Sequence, residues 1–166
     1  GGVARAGRGP PAQLRALGTR AVSRASDSAE RADVCALVQF GLRLAGVLHA
    51  AGAADKGLII SLKREHVAWL LAPKGFGAWY VHGAATSTPL DAQVLFSSGS
   101  SGLGNTGQAN YAAGNASLGA LAQARRALAL LASGPPWPLG GGAGMGAAAF
   151  GEMAGRQASI AGLAGI

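Results

Sequence analysis

The sequence predicts an α/β fold built around a parallel sheet. Short apolar runs of strand length alternate with longer stretches of helical periodicity. Those runs are largely apolar, as strands covered on both faces are. Two of them end in small residues, Ala50-Ala51-Gly52 and Ser97-Ser98-Gly99. In open parallel sheets ligands bind outside the carboxyl ends of the strands, and both small-residue runs fall there.

The elements follow in order. Residues 1–12, rich in Gly, Arg and Pro, read as a loop, and 13–17 as a short helix ended by Gly18. Residues 20–23 read as a short strand, with Asp27 and Ser28 as caps for the next helix. That helix spans 30–44, where Val34, Leu37, Val38 and Leu42 recur at helical spacing. Residues 46–50 form a buried strand. The stretch 61–85 is largely helical, with a break or kink near Lys74 because Pro73 precedes it. Residues 93–96 make a second apolar strand, and the Ala-rich run 109–131 a long helix. From Ser133 onward the chain is Gly/Pro/Ala-rich.

With 166 residues the chain is one domain's worth of sequence. Gly accounts for 28 of them, more than twice the average share of about 7%, so large core formers are thin. No apolar run approaches the roughly 20 residues that cross a bilayer. The N-terminus carries no basic-then-apolar leader, and the prediction is an intracellular, cytoplasmic protein off the membrane. The single cysteine, Cys35, has no internal disulfide partner and reads as a buried helix residue. The net charge is +7, with seven arginines before position 44, which suits an anionic partner. Nucleic acid is excluded as that partner, because zinc-finger spacing and an RNP-like aromatic motif are absent and aromatics make up only 5%.

Chemistry concentrates around Ser98 and Tyr111. A serine that ends an apolar strand and a tyrosine that opens the following helix form a pair able to reduce a carbonyl. The serine hydroxyl holds the carbonyl oxygen, and the phenol delivers a proton. Asn115, four residues after Tyr111, shares its helix face. A free tyrosine has a pKa of about 10, and a nearby cation makes such a phenol a better acid–base group. Lys74 is the nominated cation, and Asn115 the residue that orients a proton relay.

The stretch "LFSSGSSGLGNTGQANYAAGNASLGAL", residues 95–121, resembles the active-site stretch of ketoreductase domains from modular (type I) polyketide synthases. These domains belong to the short-chain dehydrogenase/reductase superfamily. The resemblance extends back through "GVLHAAG" (46–52) and "LAPKGFGAW" (71–79), and forward to "AQARRAL" and "GGGAGM". It implies a Rossmann-like parallel sheet with flanking helices. It also implies that Lys74 of "APK", the second serine of "FSS" (Ser98), and Tyr111 and Asn115 of "NYAAxNA" form the catalytic set. Many members of the superfamily carry a lysine four residues after the tyrosine. This chain has Asn115 there and its lysine at 74, as the polyketide ketoreductases do.

The same resemblance assigns cofactor contacts. "VARAGRGPP" (3–11) looks like the segment in which an arginine meets the 2′-phosphate of NADPH, matched first by Arg5 and then by Arg8. Asp27 in "ASDSAER" matches an aspartate near the adenine, and Ala50 and Gly52 match small residues beside the cofactor. The partners implied are an acyl carrier protein bearing a phosphopantetheine-linked β-ketoacyl chain and neighbouring synthase domains.

Three departures accompany it. The first strand and the Gly-rich phosphate loop are expected to be lacking before Arg5. Residues 131–137, Leu-Ala-Ser-Gly-Pro-Pro-Trp, stand where the family has an apolar strand, and two prolines predict a frayed or lost one. Where family members of one stereochemical outcome carry Leu-Asp-Asp, this chain has Ala54-Asp55-Lys56. The tryptophan that marks the other outcome, which would align near Leu103, is missing, so the alcohol configuration is not read from the sequence. The expected organisation is a partial ketoreductase domain over 1–150 and a Gly/Ala-rich tail over 151–166 that is compatible with helix. The implied reaction is NADPH-dependent reduction of a β-ketoacyl thioester to the β-hydroxyacyl form. The rival readings are a catalytically silent structural remnant and a fatty-acid-type or free-standing short-chain reductase.

Overall fold

Two prolines open the first helix. In α1 (Pro10–Ala16) they occupy the first turn, where a missing N–H leaves nothing unpaired, so the helix starts earlier than the loop expected over 1–12 allowed. It closes at Gly18, whose φ of +78° lets Gly18 N–H reach the Arg15 carbonyl at 2.9 Å and Thr19 N–H the Leu14 carbonyl at 3.0 Å. The computed structural model describes residues 10–40, 44–54 and 56–138. Arg5, Arg8, Asp55 and the tail from 139 therefore lie outside the described residues.

The strand expected over 20–23 does not form. Arg20, Val22 and Ser23 are exposed, so no face is buried there to favour a ladder. The carbonyl of Ala21 accepts instead from the Arg15 guanidinium at 2.9 Å. Helix α2 (Arg31–Gln39) buries Val34 but leaves Leu37 exposed and Cys35 half-buried.

The break expected at Pro73 is a local widening of a continuous helix. α3 (Arg64–Leu71) runs into a π turn (Ala72–Phe76) and on into α4 (Gly77–Ala85). Proline cannot supply the usual donor to the carbonyl four residues back. The wider turn absorbs this, with Gly77 N–H reaching back to the Ala72 carbonyl.

β1 (Gly46–His49) pairs in parallel with β2 (Ala92–Leu95), with His49 opposite Leu95. Beyond Phe96 the same chain continues as β3 (Ser97–Ser98), which pairs in parallel with β4 (Pro136–Trp137). The strand that the prolines were expected to fray or abolish is frayed: a single bridge pairs Ser133 with Val94, and β4 is two residues long. Ser133 N–H donates to the Gln93 carbonyl and Leu95 N–H to the Ser133 carbonyl, both at 2.8 Å, and Gly99 N–H donates to the Trp137 carbonyl at 2.8 Å. Pro135 and Pro136 fall between those anchors, so their missing donors cost the ladder little.

A short helix, α5 (Ser100–Leu103), follows β3, and then comes α6 (Ala109–Ala127). α6 ends before the expected 131 because Ala129 turns to φ +56°. The core is small: Leu95 of β2, Ala78 of α4, and Leu118, Leu121 and Ala122 of α6, with Ala132 against them. The sheet thus rests on α4 and α6, and its strand ends open beside the first turn of α6. Among the described residues no helix is long and apolar enough to cross a membrane.

Gly77 marks the closest approach of α4 to the turn before α2, since an added Cβ would lie 2.7 Å from the Ser28 carbonyl oxygen. Gly77→Ala is therefore expected to destabilise the fold by about 1–3 kcal/mol. Gly83→Ala, in the same helix but facing open space, should be neutral or stabilising by up to about 1 kcal/mol. Urea denaturation of the two variants measures the difference.

Candidate active site

The π turn decides where Lys74 goes. It buries the side chain to 3% exposure, and the ammonium points to the end of the central strand, where Nζ donates to the Phe96 carbonyl at 3.5 Å. The same Nζ lies 5.5 Å from the centroid of the Tyr111 ring, within cation–π range. Burial pushes the Lys74 pKa below its ordinary value, because the charged form loses hydration there.

Two glycines make room for this side chain. A Cβ on Gly52 would lie 3.0 Å from Lys74 Cε and 3.1 Å from Nζ, and one on Gly114 would lie 3.5 Å from Lys74 Cδ. Gly52 and the exposed Ala50 belong to the small-residue run after β1, so that run passes directly over the lysine tip.

Tyr111 stands half-buried in the first turn of α6. One turn on, Asn115 is fully buried. Its Nδ2 donates to the Tyr111 carbonyl at 2.8 Å, and its own carbonyl accepts from Ser97 Oγ at 2.9 Å. The second bond ties the opening of α6 to the strand end, and the first holds the Asn115 side chain along its own helix. Asn115 Oδ1 is buried without a partner among the described residues, an orphaned acceptor aimed at no protein group. Ser98 is half-buried at the end of β3. Its Oγ accepts from Ser100 Oγ at 3.2 Å and, more weakly, from Ser100 N–H at 3.4 Å.

Lys74, Tyr111 and Asn115 are thus linked by contacts, and Ser98 follows Ser97, which carries the bond to Asn115. Asp27 is not joined to them by any hydrogen bond among the described residues. It is exposed, its Oδ1 accepts from Ala29 N–H at 2.8 Å, and its N–H donates to Asp33 Oδ2 at 2.8 Å. It shapes the turn before α2, while the cap position itself falls to Glu30.

Sequence reasoning passed over two contributors. Ser97 read as the unremarked first member of its pair, and only its bond to the Asn115 carbonyl gives it a role. His49, buried at the end of β1, has its Nε2 3.0 Å from the Pro73 carbonyl. Burial first, and the Lys74 charge second among the lowering causes, hold its pKa below the ordinary value of 6.5. A lone histidine in an apolar strand gave no spacing signal for that contact. A separate apolar groove of about 600 Å³, lined by Phe76, Trp79, Ala120 and Ala124 among others, lies between the same helices. None of the nominated residues lines it, and its walls offer almost no polar group for chemistry.

The arrangement suits a polar, hydroxyl-bearing group at the strand ends. Among the described residues the Lys74 ammonium has three donors and one long protein acceptor, and Asn115 Oδ1 has no donor. A dinucleotide's ribose hydroxyls or ordered water match that combination, so these residues fit a nicotinamide cofactor.

The buried ammonium also weighs on the fold. Between its lowered pKa and the ordinary 10.5, the unfolded chain holds the proton while the folded chain does not, so stability rises with pH across that window. Lys74→Met keeps the stem without the charge. It is expected to exceed the parent in stability near pH 7, with the gap narrowing as pH rises toward 10.5. Denaturant midpoints at both ends of the window read this directly.

Comparison with known proteins places the chain. The KR domain family matches residues 4–142. Polyketide synthase GfsA of Streptomyces halstedii is 47% identical over 132 residues, covering 77% of this chain and 2% of that protein. Spectinabilin polyketide synthase system protein NorB of Streptomyces orinoci is 42% identical over 157 residues, covering 93% of this chain and 7% of that protein.

Among solved structures, A-type ketoreductases from a modular polyketide synthase superpose with a TM-score of 0.78 at 37% identity, over 84% of this chain and 31% of that one. The first ketoreductase of the tylosin synthase gives 0.76 at 40% identity, over 82% and 31%. A short chain dehydrogenase from Mycobacterium avium, 23% identical with a TM-score of 0.62, shares the fold. This chain therefore spans only a small part of its curated relatives and under a third of these two solved ketoreductase chains. The family match and both sets of relatives agree: the chain belongs to the ketoreductase domains of modular polyketide synthases.

Proposed function

We propose that this domain reduces a β-ketoacyl thioester to the β-hydroxyacyl form, with NADPH as reductant and the acyl chain carried on the phosphopantetheine of an acyl carrier protein. The observation that supports this most is the buried Lys74 ammonium, 3% exposed, set 5.5 Å from the Tyr111 ring at the end of the central strand. A buried cation with a single long protein acceptor is costly to the fold. Its retention beside a phenol favours a chemical role over a structural one.

A bound reduced nicotinamide supplies the hydride that reaches the ketone carbon. Ser98 Oγ and the Tyr111 hydroxyl donate to the ketone oxygen and stabilise the charge that develops there. Tyr111 then gives its proton to that oxygen, forming the alcohol. The Lys74 charge stabilises the negative charge left on the phenol side, and Asn115 Oδ1 accepts from a water that returns the proton. Ser98 Oγ only accepts in its contacts with Ser100, so its own hydrogen can be donated to the ketone oxygen without breaking them.

Ala50 and Gly52 keep the strand end low enough for a cofactor to approach, and Arg5 and Arg8 are the proposed ligands of its 2′-phosphate. The +7 charge favours both this phosphate and an acidic carrier. Family membership at polyketide synthases supports the tethered substrate and neighbouring synthase domains as partners.

Tyr111→Phe is expected to lower the reduction rate by about 10²–10⁴-fold while the thermal melt stays unchanged, as read by NADPH consumption on a β-keto thioester. Turnover near the parent rate in a folded variant would remove Tyr111 from the mechanism. NADPH binding, followed by nicotinamide fluorescence, should weaken in Arg5→Ala. Equal affinity in parent and variant would assign the 2′-phosphate elsewhere.

A further inference from the structure

His49 has no part in the chemistry above, yet it touches the site from two directions. Its backbone carbonyl accepts from Phe96 N–H at 3.0 Å, and the Phe96 carbonyl is the acceptor for Lys74 Nζ. Its imidazole Nε2 lies 3.0 Å from the carbonyl of Pro73, the residue before Lys74. A carbonyl can only accept, so Nε2 carries the proton and donates. The chain of contacts closes on itself, from Lys74 to Phe96, to His49, to Pro73 and back to Lys74. Both ends of the lysine, its backbone and its ammonium, are therefore referred to one residue of β1.

We propose that His49 is a positioning residue for Lys74, pinning the π turn to the sheet so that the ammonium stays at the strand end beside Tyr111. The π turn needs such a tie. Pro73 supplies no N–H of its own, and the i−4 ladder is interrupted there. The Pro73 carbonyl has two lone pairs, so it accepts from a donor outside the helix whatever its helical partner. His49 is 5% exposed, so water competes only weakly for its end of the contact. A neutral imidazole also suits the place, since a second cation beside the Lys74 ammonium would be repelled.

The proposal rests on the reading of Lys74 as part of the reductase machinery, and the test separates the two. His49→Leu fills the space without a donor. His49→Gln carries an amide N–H at the reach of Nε2, and His49→Asn carries the same amide too short to reach Pro73. Two quantities are measured in the full chain: kcat and KM for reduction of a β-keto thioester, and backbone hydrogen exchange of 72–77 by mass spectrometry.

Loss of one buried hydrogen bond corresponds to about a three- to tenfold change. His49→Leu and His49→Asn are expected to lower kcat and speed exchange in 72–77 by that factor, with KM nearly unchanged. His49→Gln should recover most of both. A purely packing role predicts the reverse, with Gln no better than Asn and exchange raised across the whole sheet, and that result would overturn the proposal. If His49→Leu fails to fold, the Gln and Asn pair decides alone. Lys74→Met serves as the control: parent-like turnover there removes Lys74 from catalysis, while the exchange data still judge whether His49 holds the turn.

Discussion

Phe96 is the point through which the strands and the candidate site are joined. Its N–H donates to the His49 carbonyl and so continues the β1 ladder, while its own carbonyl receives the Lys74 ammonium. Its ring stacks on Trp137, centroids 5.7 Å apart and planes 12° from parallel. It also separates β2 from β3, so that one continuous chain serves β1 on one edge and β4 on the other. A single residue thus ties together the strand order, the lysine and the segment after α6. The π turn, the opening of α6 and the glycines over Lys74 all take their positions from that strand end.

The site is expensive to hold. A buried ammonium with one long acceptor, an unpartnered Asn115 Oδ1 and an imidazole kept neutral all subtract from stability in a domain with a small apolar core. Small residues make the arrangement possible. Gly52 and Gly114 leave the volume that the lysine stem fills, and the serine pair gives both a bond to α6 and a hydroxyl at the strand end. The abundance of glycine and alanine, which looks from composition like weak packing, serves here the close approach of strand ends, helix and lysine.

Much of this was legible in the residues. The short apolar runs at 46–50 and 93–96 and the helical run 109–131 located β1 (46–49), β2 (92–95) and α6 (109–127), because such patterns are written locally. Of the four residues expected together, Lys74, Tyr111 and Asn115 are linked by contacts, while Ser98 adjoins them only through its neighbour Ser97. Residues 20–23 misled, since an apolar pair among polar residues has no strand without a buried face. The Pro135-Pro136 pair foretold a frayed strand, and a bridge at Ser133 with the two-residue β4 is what remains of it. The pair's missing donors fall between ladder bonds, and only the register with 93–99 reveals that.

The sequence by itself determined the alternation of elements, the residues able to move a proton, and the charge suited to an anionic partner. These depend on spacing along the chain and on side-chain chemistry. The tertiary structure alone decided that Pro73 widens a helix without breaking it, that Ser97 binds the Asn115 carbonyl, and that His49 reaches Pro73 across 24 positions. Each of these is a contact between elements distant in sequence. Its existence turns on how strands and helices are stacked, which no local pattern encodes.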